Sequence, residues 1–311
     1  VGSEMCIRDS LKDSLRGSVL KNEPMAAHTS WRVGGPADLF IQPADREDVL
    51  TALRLLKAAH CPWLAIGSGS NLLVRDGGIR GAVLNLANLR QLQFQENGRV
   101  VAETGLPVTH LIRLCVEKGL KGMEAMAGIP GSLGGAIAMN AGAGGQEMAG
   151  VVTEVVLATP EGEISRTAAA LSFAYRRCEL PPQSLLVEVT LAMTTAEPSA
   201  LQAVYRERMA HRRQAHAVGG ANAGSVFKNP TGRQAWRLID EAGLRGASQG
   251  GAKVSERHTN FIVNTGTAKA RDILSLIDQI RERVRACQGV NLEPEVKIIG
   301  SDELPARDEW I

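Results

Sequence analysis

Pro62-Trp63-Leu64-Ala65-Ile66-Gly67-Ser68-Gly69-Ser70-Asn71-Leu72 runs from a short apolar strand into a glycine loop. Glycine lets backbone N–H groups approach a phosphate closely, and successive N–H groups form an anion nest. Ser68, Ser70 and Asn71 add side-chain donors. The residues after Asn71 decide the fold class. The chain continues Leu-Leu-Val-Arg-Asp-Gly-Gly, with no helix-forming stretch. The loop is therefore not the dinucleotide fingerprint of a Rossmann unit, and it lacks the Lys-Ser/Thr that ends a Walker loop.

A second loop reads Gly128-Ile129-Pro130-Gly131-Ser132-Leu133-Gly134-Gly135-Ala136 and continues to Met139-Asn140-Ala141-Gly142. A segment this small and apolar can lie against a flat ring system or a pyrophosphate. It also suits tight backbone packing between elements, and the first loop alone suits a plain turn. Together, two such loops on one α/β half can enclose a bulky dinucleotide from both sides.

Outward from the loops, Asp45 reads as a helix N-cap with Asp48 as its capping-box partner. Val49, Leu50, Leu53 and Leu56 come next at helical spacing. Residues 82–86 form another strand. Pro107 opens a helix with Val108, Leu111, Ile112, Cys115 and Val116 on its apolar face, closed by Gly119. Residues 152–166 read as a hairpin turning at Pro160-Glu161-Gly162, and 185–193 as a strand. Pro198 marks a boundary. Beyond it come an Arg-rich helix (199–214), a short helix (236–242) and a strand (259–264). Then comes a long helix capped by Thr267, with Ile273, Leu274, Ile277, Ile280 and Val284 on one face, and a last strand (295–300).

The bulk numbers exclude several functions. The formal charge is +2 and aromatic residues make up 4%. Neither a global basic field nor a set of stacking rings points to nucleic acid. No apolar run of transmembrane length occurs, and the N-terminus has no apolar signal region. The five cysteines (Cys6, Cys61, Cys115, Cys178, Cys287) are widely spaced and form no CxxC pair. They read as isolated thiols in a reducing cytosol, with no disulfide framework and no metal site. Residues 1–17 read as a disordered or foreign tail, and 1–10 match no later pattern.

Seven motifs in order carry a family resemblance: HTSWRVGGPAD (28–38), GSGSNLLV (67–74), AGIPGSLGGAIAMNAGA (127–143), FAYR (173–176), AGSVFKNP (223–230), GGAKVSERHTNFIVN (250–264) and LEPEVKIIG (292–300). The chain resembles the UDP-N-acetylenolpyruvoylglucosamine reductases from about residue 18 to 302. The resemblance implies an α+β fold. A two-part FAD-binding domain of the vanillyl-alcohol-oxidase type spans 18–197 (parts 18–88 and 89–197). A smaller α+β substrate-binding domain spans 198–300, and 301–311 form a C-terminal tail.

The resemblance further implies non-covalent FAD, NADPH as reductant, and reduction of an enolpyruvyl UDP-sugar to UDP-N-acetylmuramate for peptidoglycan synthesis in the cytoplasm. The expected partners are these small molecules, with no membrane and no nucleic acid; the oligomeric state stays open, with a monomer favoured. Its catalytic residues map to Arg176, Ser225 and Glu295. Its FAD contacts map to Gly67, Ser68, Gly69, Ser70, Asn71 and Leu72, and to Gly128, Ile129, Pro130, Gly131, Ser132, Gly134 and Ala136. The substrate side maps to Lys228 and Asn229. Separately, Arg206, Arg208, Arg212 and Arg213 lie on one expected helix and read either as a solvated face or as a UDP diphosphate contact, chiefly through Arg213. Arg176 and Ser225 are 49 positions apart, too close for the tyrosine-bearing insertion of some members, so the chain is similar to the shorter subtype. His216-Ala217-Val218 stands where many short members carry Gln-Pro.

The implied chemistry suits these residue types. Hydride addition to the enolpyruvyl methylene leaves an enolate that a general acid must protonate. A serine hydroxyl serves beside an enolate in a dry site with cationic neighbours, such as Lys228. Arg176 fits a planar carboxylate bidentately. Glu295, if protonated or bonded to Arg176, orients the enolate or relays a proton. Two other readings stay open: a covalent flavin oxidase of the same fold, and a non-catalytic nucleotide-binding protein.

Overall fold

In the computed structural model, which describes residues 4–215 and 218–303, the strand before the first glycine loop is Trp63–Ile66. It lies at one edge of a four-stranded sheet, in the spatial order Ser18–Pro24, Pro36–Gln42, Ile79–Asn85, Trp63–Ile66. The first pairing is antiparallel and the other two are parallel. Helix Arg46–Ala58 connects two of these strands and buries Val49, Leu53 and Leu56 completely. Asp45 caps it, accepting from the Asp48 N–H at 3.1 Å. Asp48 does not return the bond. Its buried carboxylate accepts from the backbone N–H groups of Arg16, Gly17 and Ala44, pinning the incoming chain.

The N-terminal segment is ordered, against the expectation of a disordered tail. Residues Glu4–Ser14 form a helix packed on Arg46–Ala58. The physical reason is an apolar stripe, Ile7, Leu11 and Leu15, at four-residue spacing. Leu11 is fully buried, and Leu15 joins the same core. Residues 1–3 lie outside the described residues.

A second sheet holds five antiparallel strands in the order Gly162–Thr167, Val152–Thr159, Leu185–Ala192, Arg99–Glu103, Leu92–Phe94. Helix Val108–Glu117 covers it and buries all five positions read from its periodicity. Burial pushes the Cys115 thiol up to about 12, which makes it an inert core residue.

The C-terminal elements form a third core. Helix Ala270–Gln288 buries Ile273, Ile277, Ile280 and Val284, with Leu276 rather than Leu274 completing the face. Thr267 does not cap it. The Ala270 and Arg271 N–H groups donate to the carboxylate of Asp76 at 2.8 and 3.0 Å, so the cap comes from a distant loop. Such orphan donors need a partner, and any well-placed carboxylate serves.

This third core is tied to the first sheet beside the glycine loop. Strand Leu72–Val74 pairs in parallel with Lys297–Ile299. The Trp31 indole N–H donates to the Ile262 carbonyl at 2.7 Å, and the Asn264 side-chain amide donates to the Trp31 carbonyl at 2.9 Å. Trp31, Val33 and Leu73 share one apolar cluster with Val226, Phe227, Ile262 and Val296. Past the last strand, Ser301 and Asp302 dock on Gly77 and Arg75; residues 304–311 lie outside the described residues. Among the described residues, no helix is long and apolar enough to cross a membrane, and no cluster of side chains could hold a metal ion.

Candidate active site

Both glycine loops open onto one cavity of about 750 Å³, within the size range of a small-molecule site. The loops touch each other. A Cβ on Gly67 would fall 2.0 Å from Ser132 Oγ, and one on Gly131 would fall 3.0 Å from Ser70 Oγ. Gly69 turns at φ +60, and a Cβ there would fall 1.9 Å from the His28 carbonyl oxygen. These contacts explain why the positions are glycine and why their backbones face the cavity. Gly67, Ser68, Gly69, Ser70, Asn71 and Leu72 all line it, as do Ile129, Pro130, Gly131, Ser132 and Ala136. Gly128 and Gly134 do not. Gly128 backs onto Arg212 and Met209, and Gly134 packs on Thr104, so both serve packing.

Arg176, Ser225 and Glu295 line the same cavity. Three separate parts of the chain bring them there. Arg176 sits at the turn of the hairpin Ser172–Ala174/Arg177–Glu179, with φ +58, a left-handed conformation uncommon outside glycine. Buried Asn140 steadies that hairpin. Its amide donates to the Ala174 carbonyl at 3.2 Å, and its oxygen accepts from Ala149. Ser225 precedes a short segment locked by buried Asn260, whose side chain bonds both the N–H and the carbonyl of Phe227. The Glu295 N–H donates to the Val226 carbonyl at 2.7 Å. Ser225 and Glu295 therefore stand on adjoining backbone segments. Asn71, in the first loop, donates to the Glu295 carbonyl at 3.2 Å.

Arg176 and Glu295 form an ion pair at 3.0 Å, with side chains 23% and 17% exposed. Burial raises the Glu295 carboxyl above the ordinary carboxylate range, and the charges of Arg176 and Lys228 only partly offset it. Lys228 itself bonds Glu293 at 2.5 Å. It does not line the cavity, but its charge reaches Glu295. Asn229 departs from the substrate-side expectation: its oxygen accepts from the Ala235 N–H at 3.0 Å at the start of helix Ala235–Glu241. Arg213 also departs from it, being exposed on the outer face of helix Pro198–Ala215. His216 and Ala217 lie outside the described residues.

The cavity wall holds residues that the motifs did not single out, chiefly Arg208, His211, Arg212 and Cys178. Helical phase carries the missing signal for the arginines. Arg208 and Arg212 are four apart, on the same face as Leu201 and Tyr205, which pack inward.

Residues 37–168 match the family model of the FAD binding domain, and residues 214–299 match that of the UDP-N-acetylenolpyruvoylglucosamine reductase C-terminal domain. A UDP-N-acetylenolpyruvoylglucosamine reductase from Syntrophotalea carbinolica is 48% identical over 93% of this chain and 97% of its own length. The chain belongs to the UDP-N-acetylenolpyruvoylglucosamine reductase family. The enzyme of that name from Geobacter metallireducens is 46% identical over 94% of this chain and 97% of its own. The crystal structure of the reductase from Thermus caldophilus superposes with a TM-score of 0.78 at 31% identity, covering 91% of this chain and 99% of that one. Membership accounts for the α+β fold with its FAD-binding part and separate C-terminal domain.

Proposed function

We propose that this chain reduces UDP-N-acetylenolpyruvoylglucosamine to UDP-N-acetylmuramate with FAD and NADPH. The observation that carries the reading is the convergence of Arg176, Ser225 and Glu295 on the cavity of the two glycine loops. The Gly67–Leu72 loop and the Ile129–Ser132 segment with Ala136 would hold FAD: Gly67, Gly69 and Gly131 let the backbone come close, Ser68, Ser70 and Asn71 add donors, and the space suits a dinucleotide. FAD held there would supply hydride-transfer chemistry, with NADPH as the reductant.

The chain's own residues do the rest. The guanidinium of Arg176 grips the substrate carboxylate and stabilises the negative charge that develops on the adjoining carbon. The Ser225 hydroxyl delivers a proton to that carbon, completing the lactyl ether, and regains one from solvent. Lys228, held near Glu295 by Glu293, adds the positive field that makes a hydroxyl a usable acid. Glu295 is half of an ion pair before substrate binds. When the substrate carboxylate takes Arg176, Glu295 loses its counter-charge in a buried setting and takes up a proton.

That last step has a pH consequence. A raised carboxyl stays protonated to higher pH than an ordinary glutamate. Activity that needs the protonated form is flat at low pH and falls as pH rises through the raised pKa. Glu295→Gln keeps a neutral donor of the same shape, so that falling limb disappears from the kcat–pH profile. A variant retaining the limb assigns it to another group.

The cysteine on the wall does not favour covalent flavin attachment. Burial, with the neighbouring charge of Glu179, raises the Cys178 thiol to about 11, leaving little thiolate to react. The decisive experiment separates the half-reactions under anaerobic conditions. NADPH bleaches the bound flavin, and the enolpyruvyl UDP-sugar restores its colour. Flavin that bleaches yet stays bleached with that substrate overturns the proposed reaction.

A further inference from the structure

Each glycine loop leads to an asparagine that reaches one half of the Arg176–Glu295 ion pair. In the first loop, the Asn71 amide donates to the Glu295 carbonyl at 3.2 Å, and the Asn71 carbonyl accepts from the Lys297 N–H at 3.0 Å. The second loop runs through the short helix Leu133–Ala138 to Asn140, which is buried and left-handed at φ +38. The Asn140 amide donates to the Ala174 carbonyl at 3.2 Å. Ala174 pairs with Arg177 across the turn that holds Arg176. Arg176 also reaches back, its Nη1 donating to the Gly142 carbonyl at 3.4 Å.

The ion pair itself is close but poorly aligned. Its charged groups stand 3.0 Å apart, yet the buried Arg176 Nε makes no directed hydrogen bond among the described residues. A contact without a directed bond does not hold its own geometry. The two backbone mounts hold it instead. They also close a ring. The glycine loops meet directly at Gly67 and Ser132, and they are joined a second time through Asn71, Glu295, Arg176 and Asn140. We propose that Asn71 and Asn140 are positioning residues, which hold Glu295 and Arg176 where the substrate carboxylate can take the arginine from the glutamate. The inference rests on the function proposed above. The charges acting on Glu295 are those of Arg176, on the hairpin, and Lys228, after Ser225. Lys297, Arg177, Arg208, His211 and Arg212 line the same cavity. Of these groups, Arg176 is the one whose turn Asn140 bonds. Loosening either mount therefore weakens the charge that opposes burial at Glu295, and its carboxyl rises further.

The test uses the full chain at saturating FAD, comparing wild type with Asn71→Ala, Asn140→Gly and Asn88→Ala. Glycine suits the left-handed backbone at 140. Asn88 donates to the Pro43 carbonyl and does not line the cavity, so it controls for a lost bond of the same kind. The first readout is the two half-reactions. Both loop variants bleach with NADPH at the wild-type rate and reoxidise with the enolpyruvyl UDP-sugar about 3–10-fold more slowly, the range for one neutral hydrogen bond. The second readout is proton uptake on binding UDP-N-acetylmuramate, measured by calorimetry at one pH in buffers of differing ionisation enthalpy. In wild type, Glu295 takes up a proton as the ligand carboxylate takes Arg176. In the loop variants more of Glu295 is protonated beforehand, so fewer protons are taken up. Asn88→Ala matches wild type in both readouts. Wild-type proton uptake in the loop variants overturns the proposal. So does equal slowing of both half-reactions, which marks damage to the flavin site. If Asn140→Gly does not fold, Asn71→Ala alone decides. A wild type that bleaches but is not reoxidised by the UDP-sugar overturns the parent reading, and this inference with it.

Discussion

Ser225→Ala leaves flavin bleaching by NADPH at the wild-type rate and slows reoxidation by the enolpyruvyl substrate by ~10²–10⁴, the range for losing a general acid. The asymmetry comes from the geometry. The proton is needed only in the second half-reaction, where the substrate carbon becomes an anion. Ser225 is fixed by its neighbours rather than by its own hydroxyl. Asn260 bonds the backbone at Phe227, and Glu295 bonds it at Val226. Removing one oxygen therefore leaves the cavity wall in place. Rapid-mixing absorbance at the flavin band measures both rates. Equal loss in the two half-reactions would falsify the proton-donor role, because it would show damage to the flavin site instead.

Trp31→Ala destabilises the chain by about 3–5 kcal/mol, the range for truncating a buried tryptophan. Trp31 is fully buried in the C-terminal core although it belongs to the N-terminal segment. Its truncation opens a cavity there and strips the Ile262 carbonyl of its indole donor. The effect spreads to the first glycine loop, since the Ser30 N–H donates to the Gly69 carbonyl at 3.1 Å. Flavin retention falls with stability in the same variant. Trp31→Phe keeps most of the bulk and costs less, about 1–3 kcal/mol for the unpaired carbonyl. Urea denaturation monitored by far-ultraviolet dichroism gives the free energies, and a loss under about 1 kcal/mol for Trp31→Ala removes the residue from its role as a joint.

Local chemistry was legible in the sequence, and long-range pairing was not. The glycine loops announced themselves because close backbone approach excludes other residues, as Gly67 and Gly131 show. The helix over Val108–Glu117 was readable since its five apolar positions keep a clean period. The same reasoning misplaced the cap of helix Ala270–Gln288, where Thr267 is adjacent in sequence but Asp76 is adjacent in space. Asn229 sits beside the serine motif, and its side-chain oxygen bonds a helix start outside the cavity lining, a pairing that its place in the sequence does not announce. Among the basic residues of helix Pro198–Ala215, composition could not choose. Phase chooses Arg208 and Arg212 over Arg213. The N-terminal helix was overlooked for a similar reason, its stripe of Ile7, Leu11 and Leu15 being too short to stand out until Arg46–Ala58 is there to receive it.

The parallel pairing of Leu72–Val74 with Lys297–Ile299 bears on how the protein is made. Asn71 and Glu295 are 224 residues apart, so the first glycine loop emerges from the ribosome long before the strand that flanks it. Vectorial synthesis leaves that loop without its neighbour until the final strand has left the exit tunnel. Flavin uptake into a complete site therefore waits for Lys297–Ile299, and a ribosome stalled before residue 297 carries a nascent chain that cannot yet close its own cofactor cleft.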